Sequence, residues 1–384
     1  MIKYVDHSTQ IRNAIRIMVC RERILKRSRY MSKIIYYIGA GASYGKNDAR
    51  ELIGKGTDNE RLLIHEGLPV INEIGKCLLS FKEAVVNTPI DTNEYYSFFN
   101  KFRVEGDNLN HKRNSLIADI EEVYQANKEH ATIDTYAKKL YLTRRTNELK
   151  RLKNVLTTFF VWAQLVSKTD QRYDTFLANI LQENTLSIPN GISVISWNYD
   201  SQFEMAYRNY SKDGNLPIYD KNAHIYYQDS GNCGKIFKVN GSANFDDFCM
   251  VDYISKHRDV DSVIQLIEYY DNLGADTSAF GYQFTSRLSY AWETSERQRQ
   301  MFDMLQKVTS DTTTVVVIGY SFPYFNRQID RKIFAAMPYL KTVYIQDPNP
   351  EAIEPSLRAV LLNEAATKIV YQKDCTQFYL PREL

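Results

Sequence analysis

Five consecutive β-formers, Ile34-Ile35-Tyr36-Tyr37-Ile38, run directly into Gly39-Ala40-Gly41-Ala42-Ser43. This junction constrains the fold more than any other stretch. A strand without polar alternation is buried on both faces, as in the middle of a parallel sheet. Glycine at its end lets the backbone turn tightly and lets a ligand approach the N–H groups. If a helix follows, its N-terminus adds partial positive charge where a phosphate would sit. The junction therefore predicts a nucleotide pyrophosphate site at the end of a central strand.

Further strand runs follow at Ile192–Trp197, Lys235–Val239, Thr313–Ile318, Thr342–Gln346 and Thr367–Tyr371. They end in Asn198-Tyr199-Asp200, Asn240-Gly241-Ser242, Gly319-Tyr320-Ser321-Phe322 and Asp347-Pro348-Asn349-Pro350, the last run excepted. Helical patterns separate the strands. Ser201-x-x-Glu204 has capping-box spacing, and Asn326 stands where it would cap a helix whose Ile329, Ile333 and Phe334 face inward. Strands alternating with helices imply an α/β fold: a Rossmann-like, doubly wound parallel sheet with ligands at the carboxyl ends of its strands.

The chain is longer than such a sheet needs. Residues 51–185 lack strand runs and look helical; Leu149, Leu152, Val155, Leu156, Phe159, Phe160, Ala163 and Val166 recur at helical spacing. A block of that size reads as a large helical insertion. Residues 243–308 read as a second, smaller one, with helices around Val260–Ile267 and Gln298–Val308. Residues 1–30 form a basic extension carrying Arg12, Arg16, Arg21, Arg23, Lys26, Arg27 and Arg29, ahead of a domain over 31–384. That extension is expected to be dispensable or an oligomer-contacting helix, the alternative being a basic arm for nucleic acid or anionic lipid, with Met31 an alternative start and no signal peptide expected.

Composition excludes some classes. With a net charge of +2 no global field draws nucleic acid or membrane, and no apolar run is long enough for a transmembrane helix. Cys20, Cys77, Cys233, Cys249 and Cys375 are dispersed, without a C-x-x-C pair. They predict reduced thiols in a cytoplasmic protein, and no structural metal.

Three phosphate-loop chemistries compete at Gly39–Ser43. For a P-loop, Gly39 to Gly45 is one residue too long, and Asn47 replaces the magnesium-binding hydroxyl after Lys46. For a dehydrogenase fingerprint Gly45 comes one residue late, and no strand is expected before Glu60 or Glu66. There remains Gly-Ala-Gly-Ala-Ser with a helical insertion behind it.

Gly39–Ser43, Trp197-Asn198-Tyr199-Asp200, Lys238-Val239-Asn240-Gly241-Ser242 and Gly319-Tyr320-Ser321-Phe322, in that order, resemble the sirtuin-like NAD-binding superfamily. The Asn-Tyr-Asp form is most similar to the prokaryotic sirtuin-like effectors of anti-phage defence. The resemblance spans the sheet of residues 34–371 and says little about the insertions. It implies that Gly39, Ala40, Gly41 and Ser43 hold the NAD pyrophosphate and adjoining ribose. Asn198 would lie near the nicotinamide ribose and Asp200 near the carboxamide. Gly319 and Ser321 would contact the adenosine half, and Gln346 or Asp347 its ribose. NAD would be the substrate, with no metal. The resemblance further implies homo-oligomers and a separately encoded partner such as a DNA-translocating ATPase. Each residue has a plainer reading: Ser43 and Asp200 as helix caps, Gln346 and Asp347 as turn residues.

Asn240 departs from the family, which has histidine there as a general base. Asparagine accepts no proton near neutral pH. His65, His111, His130 and His257 fall in the inserted regions, His7 in the extension and His224 before the Lys235 strand. Loss of a general base typically costs about 10²–10⁴-fold. The nicotinamide leaving group is already cationic, so its departure needs no acid. NAD hydrolysis, with Asn198 positioning, Asp200 stabilising charge and Asn240 orienting water or ribose, is therefore the expected activity. Deacetylation is disfavoured by Asn240 and by the missing zinc cysteines. The alternative is a catalytically silent NAD or ADP-ribose module that regulates a defence partner.

Overall fold

The computed structural model describes residues 33–90, 94–97, 102–211, 218–220, 225–227, 233–245, 249–256, 261–274 and 285–384. The basic extension, His7, His224, His257 and Val260 lie outside the described residues. In chain order the main sheet contains β1 (Lys33–Ile38), β2 (Ile192–Ser196), β3 (Ile218–Asp220), β4 (Ile225–Tyr227), β5 (Ile236–Lys238), β6 (Thr312–Ile318), β7 (Thr342–Gln346) and β8 (Lys368–Gln372). Their spatial order is β8-β7-β6-β1-β2-β5-β4-β3. The six strands from β8 to β5 are parallel; β4 and β3 extend the edge antiparallel. The sequence pattern anticipated the six parallel strands within a residue or two and missed the short edge hairpin. The chain adds β2 and β5 on one side of β1, then returns to add β6, β7 and β8 on the other. The order reverses between β1 and β6, which places the topological switch beside the Gly39–Ser43 loop.

The helices are α1 (Ile74–Asn87), α2 (Gly106–Glu129), α3 (Ile133–Leu142), α4 (Thr146–Val166), α5 (Gln171–Ile180), α6 (Gln202–Arg208), α7 (Met250–Lys256), α8 (Ser262–Gly274), α9 (Glu296–Thr309), α10 (Arg327–Ala335) and α11 (Pro350–Arg358). Both faces of β1 are covered. Ile35 and Tyr37 pack with Met301 and Leu305 of α9, Ile333 and Phe334 of α10, and Ile353 and Leu357 of α11. Ile34, Tyr36 and Ile38 pack with Tyr173, Phe176 and Leu177 of α5 and Phe203 of α6. Tyr37 stands at the centre of an aromatic cluster, stacked on Phe322 at 5.8 Å and edge-on to Tyr320 at 5.4 Å. Its hydroxyl donates to the buried Asp330.

The two insertions form one body. Leu78 and Phe81 of α1, Leu116 and Ile120 of α2, and Phe159 of α4 share a core with Leu266, Ile267 and Leu273 of α8. Helix α9, read from the sequence as part of the second insertion, covers the sheet instead. The first insertion is not purely helical. Arg50–Ile53 pairs with Arg61–Ile64, and Glu94–Ser97 with Phe102–Glu105, as antiparallel ribbons. Alternation over four residues is too short a signal to stand out beside long helices. A strand does precede Glu66, but in a separate ribbon, away from where a dehydrogenase acid would stand. Val166 ends its helix 53% exposed, outside the apolar face that its spacing placed it on.

Two expected caps take other partners. Ser201 precedes α6, but no side-chain bond from it closes the helix; its hydroxyl accepts from Asn244 at 2.8 Å. Glu204 is drawn to Lys238 instead. Asn326 precedes α10 with its side chain turned to the Tyr320 hydroxyl, 3.1 Å away.

Candidate functional site

A cavity of about 490 Å³ opens at the carboxyl ends of β1, β2 and β6. Ala40, Gly41, Ser43, Asn198, Asp200, Asn240, Gly319, Ser321 and Asp347 all line it, so one site collects residues from five strand ends. The inserted body supplies a mostly apolar wall: Leu68, Pro69, Val70, Ile71, Ile74 and Phe160. That size and mixture suit a small organic ligand held by a few convergent polar groups. A wider cleft, about 940 Å³, lies between α4, α6 and α7 and contains none of the sequence-predicted site residues.

The Gly39–Ser43 loop differs from the expected cradle. A four-residue 3₁₀ turn, Ala40–Ser43, follows β1, and the next helix on the chain long enough to carry a dipole is α1. The N–H groups of Gly39, Gly41 and Ala42 donate to Ile318, Gly319 and Gly39 carbonyls at 3.0, 3.0 and 2.9 Å. The glycines serve backbone contact between two loops at the switch. Gly319 has φ +58°, and a Cβ on it would stand 2.4 Å from the Gly41 Cα. Phe322, in the same loop, is also left-handed at φ +51° and is held by its stack on Tyr37. Arg172 fastens the other side. Its guanidinium donates to the Gly41 carbonyl at 3.0 Å and pairs with buried Asp170, which accepts the Gly45 N–H at 2.8 Å. Nothing in the local sequence marks Arg172 for this role, because its partners lie about 130 residues away or on the neighbouring turn.

Asn198 is 6% exposed and tied in from one end only. Its Nδ2 donates to Ser43 Oγ at 3.0 Å, and that hydroxyl shares a hydrogen bond with the Tyr173 hydroxyl at 2.8 Å. Among the described residues nothing bonds its Oδ1. Ser43 thus links three segments rather than capping a helix. Asp200 does cap: its Oδ1 accepts the Gln202 N–H at 2.9 Å at the start of α6. Beneath it the Lys238 ammonium donates to the Asp200 carbonyl at 2.5 Å and lies 3.2 Å from Glu204, a pair only 2% and 1% exposed. Burial pushes the Glu204 carboxyl up, against the attraction of Lys238.

Asn240 lines the cavity, but both ends of its amide are committed. Nδ2 donates to the Trp197 carbonyl at 3.1 Å, and Oδ1 accepts the Ala291 N–H at 3.0 Å. It clasps the end of β2 to the 289–291 segment and retains one N–H for anything in the cavity. Gln346 does not line the cavity. Its Nε2 donates to the Asp374 and Gln377 carbonyls at 2.6 Å each, and its Oε1 accepts the Tyr379 N–H at 2.9 Å. It holds the C-terminal segment against the sheet. Asp347 lines the cavity while its Oδ1 closes a turn onto the Asn349 N–H at 2.9 Å.

Sequence reasoning missed Asp134, in the first turn of α3. It lines the cavity and is 7% exposed. Tyr199 donates its hydroxyl to Asp134 Oδ1 at 3.0 Å. Burial raises the carboxyl to about 6, against the lowering effect of that hydrogen bond. Nothing local in the sequence marks the residue, because the packing of α3 on α2 and α4 within the inserted body brings it to the cavity. Leu68 and Pro69 carried a faint signal, following Gly67 as a turn would. None of the described histidines lines the cavity; His65 faces Glu51 at 3.2 Å and His130 bonds the Ala126 carbonyl at 2.8 Å.

Among the described residues no helix is long and apolar enough to cross a membrane. No protein-family model matches the chain, and no curated protein matches it significantly. The fold and site define an α/β protein with a Rossmann-like parallel sheet and a ligand-sized cavity at its switch point.

Proposed function

We propose that the protein is an NAD glycohydrolase that releases nicotinamide and ADP-ribose. The observation that carries the reading is Asn198. Its amide is anchored through Ser43 to Tyr173 and leaves Oδ1 unbonded at the rim of the cavity. An anchored amide oxygen suits a ribose hydroxyl and would fix C1′ for attack. Asp200, in the same wall, would set its negative charge against a developing oxocarbenium ion. The apolar wall from the inserted body lowers the local polarity and would strengthen that attraction. With the Gly39, Gly41 and Ala42 N–H groups paired, the ligand would meet this loop through the surface of Ala40, Gly41 and Ser43.

By the family resemblance, the biological role is NAD depletion in anti-phage defence, by a homo-oligomer acting with a separately encoded partner. Unchecked NAD loss would kill the host, so activity needs a trigger. One observation favours the alternative, a silent NAD or ADP-ribose sensor: Asn240, where the family carries its base, is committed to the backbone. Purified protein, alone and with candidate partners, should be incubated with NAD and assayed for nicotinamide. Release by wild type and loss in Asn198→Ala, with melting unchanged, is expected. Tight NAD binding without release under every trigger supports the sensor. Full activity in Asn198→Ala refutes the site.

A further inference from the structure

The apolar wall of the cavity carries a carboxyl group that comes from the insertion rather than from a strand end. Of the three carboxylates lining the cavity, Asp200 and Asp347 each close a backbone turn. Asp134 closes none. Its Oδ1 accepts the Tyr199 hydroxyl, and among the described residues no hydrogen bond reaches Oδ2. Tyr199 directly follows Asn198, so the contact ties the carboxyl to the segment that holds the anchored amide. Resting on the glycohydrolase reading, we propose that Asp134 is the general base for the attacking water, a role for which the cavity has no described histidine.

The step balances as follows. The C1′–N bond of NAD breaks, and its electron pair neutralises the positive nicotinamide nitrogen. Water forms a bond to C1′ while one of its protons passes to Asp134 Oδ2. That proton then leaves to solvent, so NAD and water give nicotinamide, ADP-ribose and a proton.

The surroundings suit a base. Burial, with the Asp134 charge as a smaller cause, holds the Tyr199, Tyr290 and Tyr320 phenols well above their ordinary value and therefore neutral near pH 7. Glu293, beside Tyr290, is paired with Lys153 at 2.7 Å. No described cation pairs with Asp134 to quench it. A carboxyl raised to about 6 is ionised at neutral pH and stays basic enough to accept a proton there.

Asp134→Asn keeps the acceptor for Tyr199 and, because burial of the charge costs stability, should melt no lower than wild type at neutral pH. Its hydrolysis of NAD should fall roughly 10²–10⁴-fold with NAD affinity preserved. The wild-type rate should decline as pH drops through about 6, and that limb should vanish in the variant. Asp134→Ala opens space for azide, an anionic nucleophile that needs no deprotonation. Sodium azide should restore its nicotinamide release, giving the azido sugar. Undiminished hydrolysis in Asp134→Asn, or a loss in Asp134→Ala that azide leaves unrelieved, overturns the assignment and leaves the glycohydrolase reading standing. Wild-type protein that binds NAD without ever releasing nicotinamide overturns both.

Discussion

Gly319→Ala tests whether the switch-point glycines exist for backbone contact. Two penalties add. Alanine at φ +58° sits in the left-handed region, which costs about 1–2 kcal/mol for a residue with a Cβ. The new Cβ also meets the Gly41 Cα at 2.4 Å, against ordinary contact at 3.4–4 Å. No side chain can swing aside, because the obstacle is backbone, so the loops must part by roughly 1 Å. Parting strains the Gly41 N–H bond to the Gly319 carbonyl, now 3.0 Å, worth about 1 kcal/mol, and overpacking adds about 1–3 kcal/mol. The expected destabilisation is about 3–6 kcal/mol. Gly56→Ala is the control: φ is +79° there, and no atom lies within 4 Å of the added Cβ. It should lose only about 1–2 kcal/mol. Urea denaturation of the three proteins, followed by tryptophan fluorescence, measures both. If Gly319→Ala is no less stable than Gly56→Ala, close approach is not what requires glycine at the switch.

Lys238→Met leaves Glu204 buried without its counter-ion and should destabilise by about 3–5 kcal/mol, while adding Glu204→Met should recover most of the loss; equal stability of the single and double variants would sink this account. Burial raises the Asp330 carboxyl to about 7, although Tyr37 and Tyr320 donate to it. The unfolded chain releases that proton near pH ~4, so the folded state binds more protons in between. Asp330 thus makes stability fall as pH rises from about 4 to about 7. Asp330→Asn should flatten that slope in melting profiles, and an unchanged slope would exclude Asp330 as its source. Gln346→Ala removes three hydrogen bonds to the C-terminal segment. At about 1 kcal/mol each, local opening should rise ~100-fold, read as hydrogen exchange at the Tyr379 amide; unaltered protection there would show that other contacts hold the strap.

Much of the sheet was legible because its strands are buried on both faces. Uninterrupted runs such as Thr313–Ile318 announce themselves, and their ends fall in polar residues that cannot continue inside a core. The gathering of Ser43, Asn198, Asp200, Gly319 and Asp347 around one cavity follows from parallel strands, which bring their carboxyl ends to one side. The edge hairpin and the ribbons of the insertion were not legible. They are strands of only three or four residues, too short for an alternating pattern to stand out although their partners lie close by in the sequence.

The sequence by itself determined the doubly wound sheet and the polar residues at its strand ends, because burial on both faces writes its pattern locally. Tertiary structure alone decided what each of those side chains does. Asn198 and Asn240 are the same residue at neighbouring strand ends, yet one offers a free amide oxygen and the other clasps two backbone segments. Gln346 turns away to hold the C-terminal strap, and Asp134 enters from an insertion that carries no signal of the site. A hydrogen-bonding group has no assigned partner until the fold brings one within about 3 Å. Those partners lie tens to hundreds of residues away along the chain, beyond the reach of any local pattern.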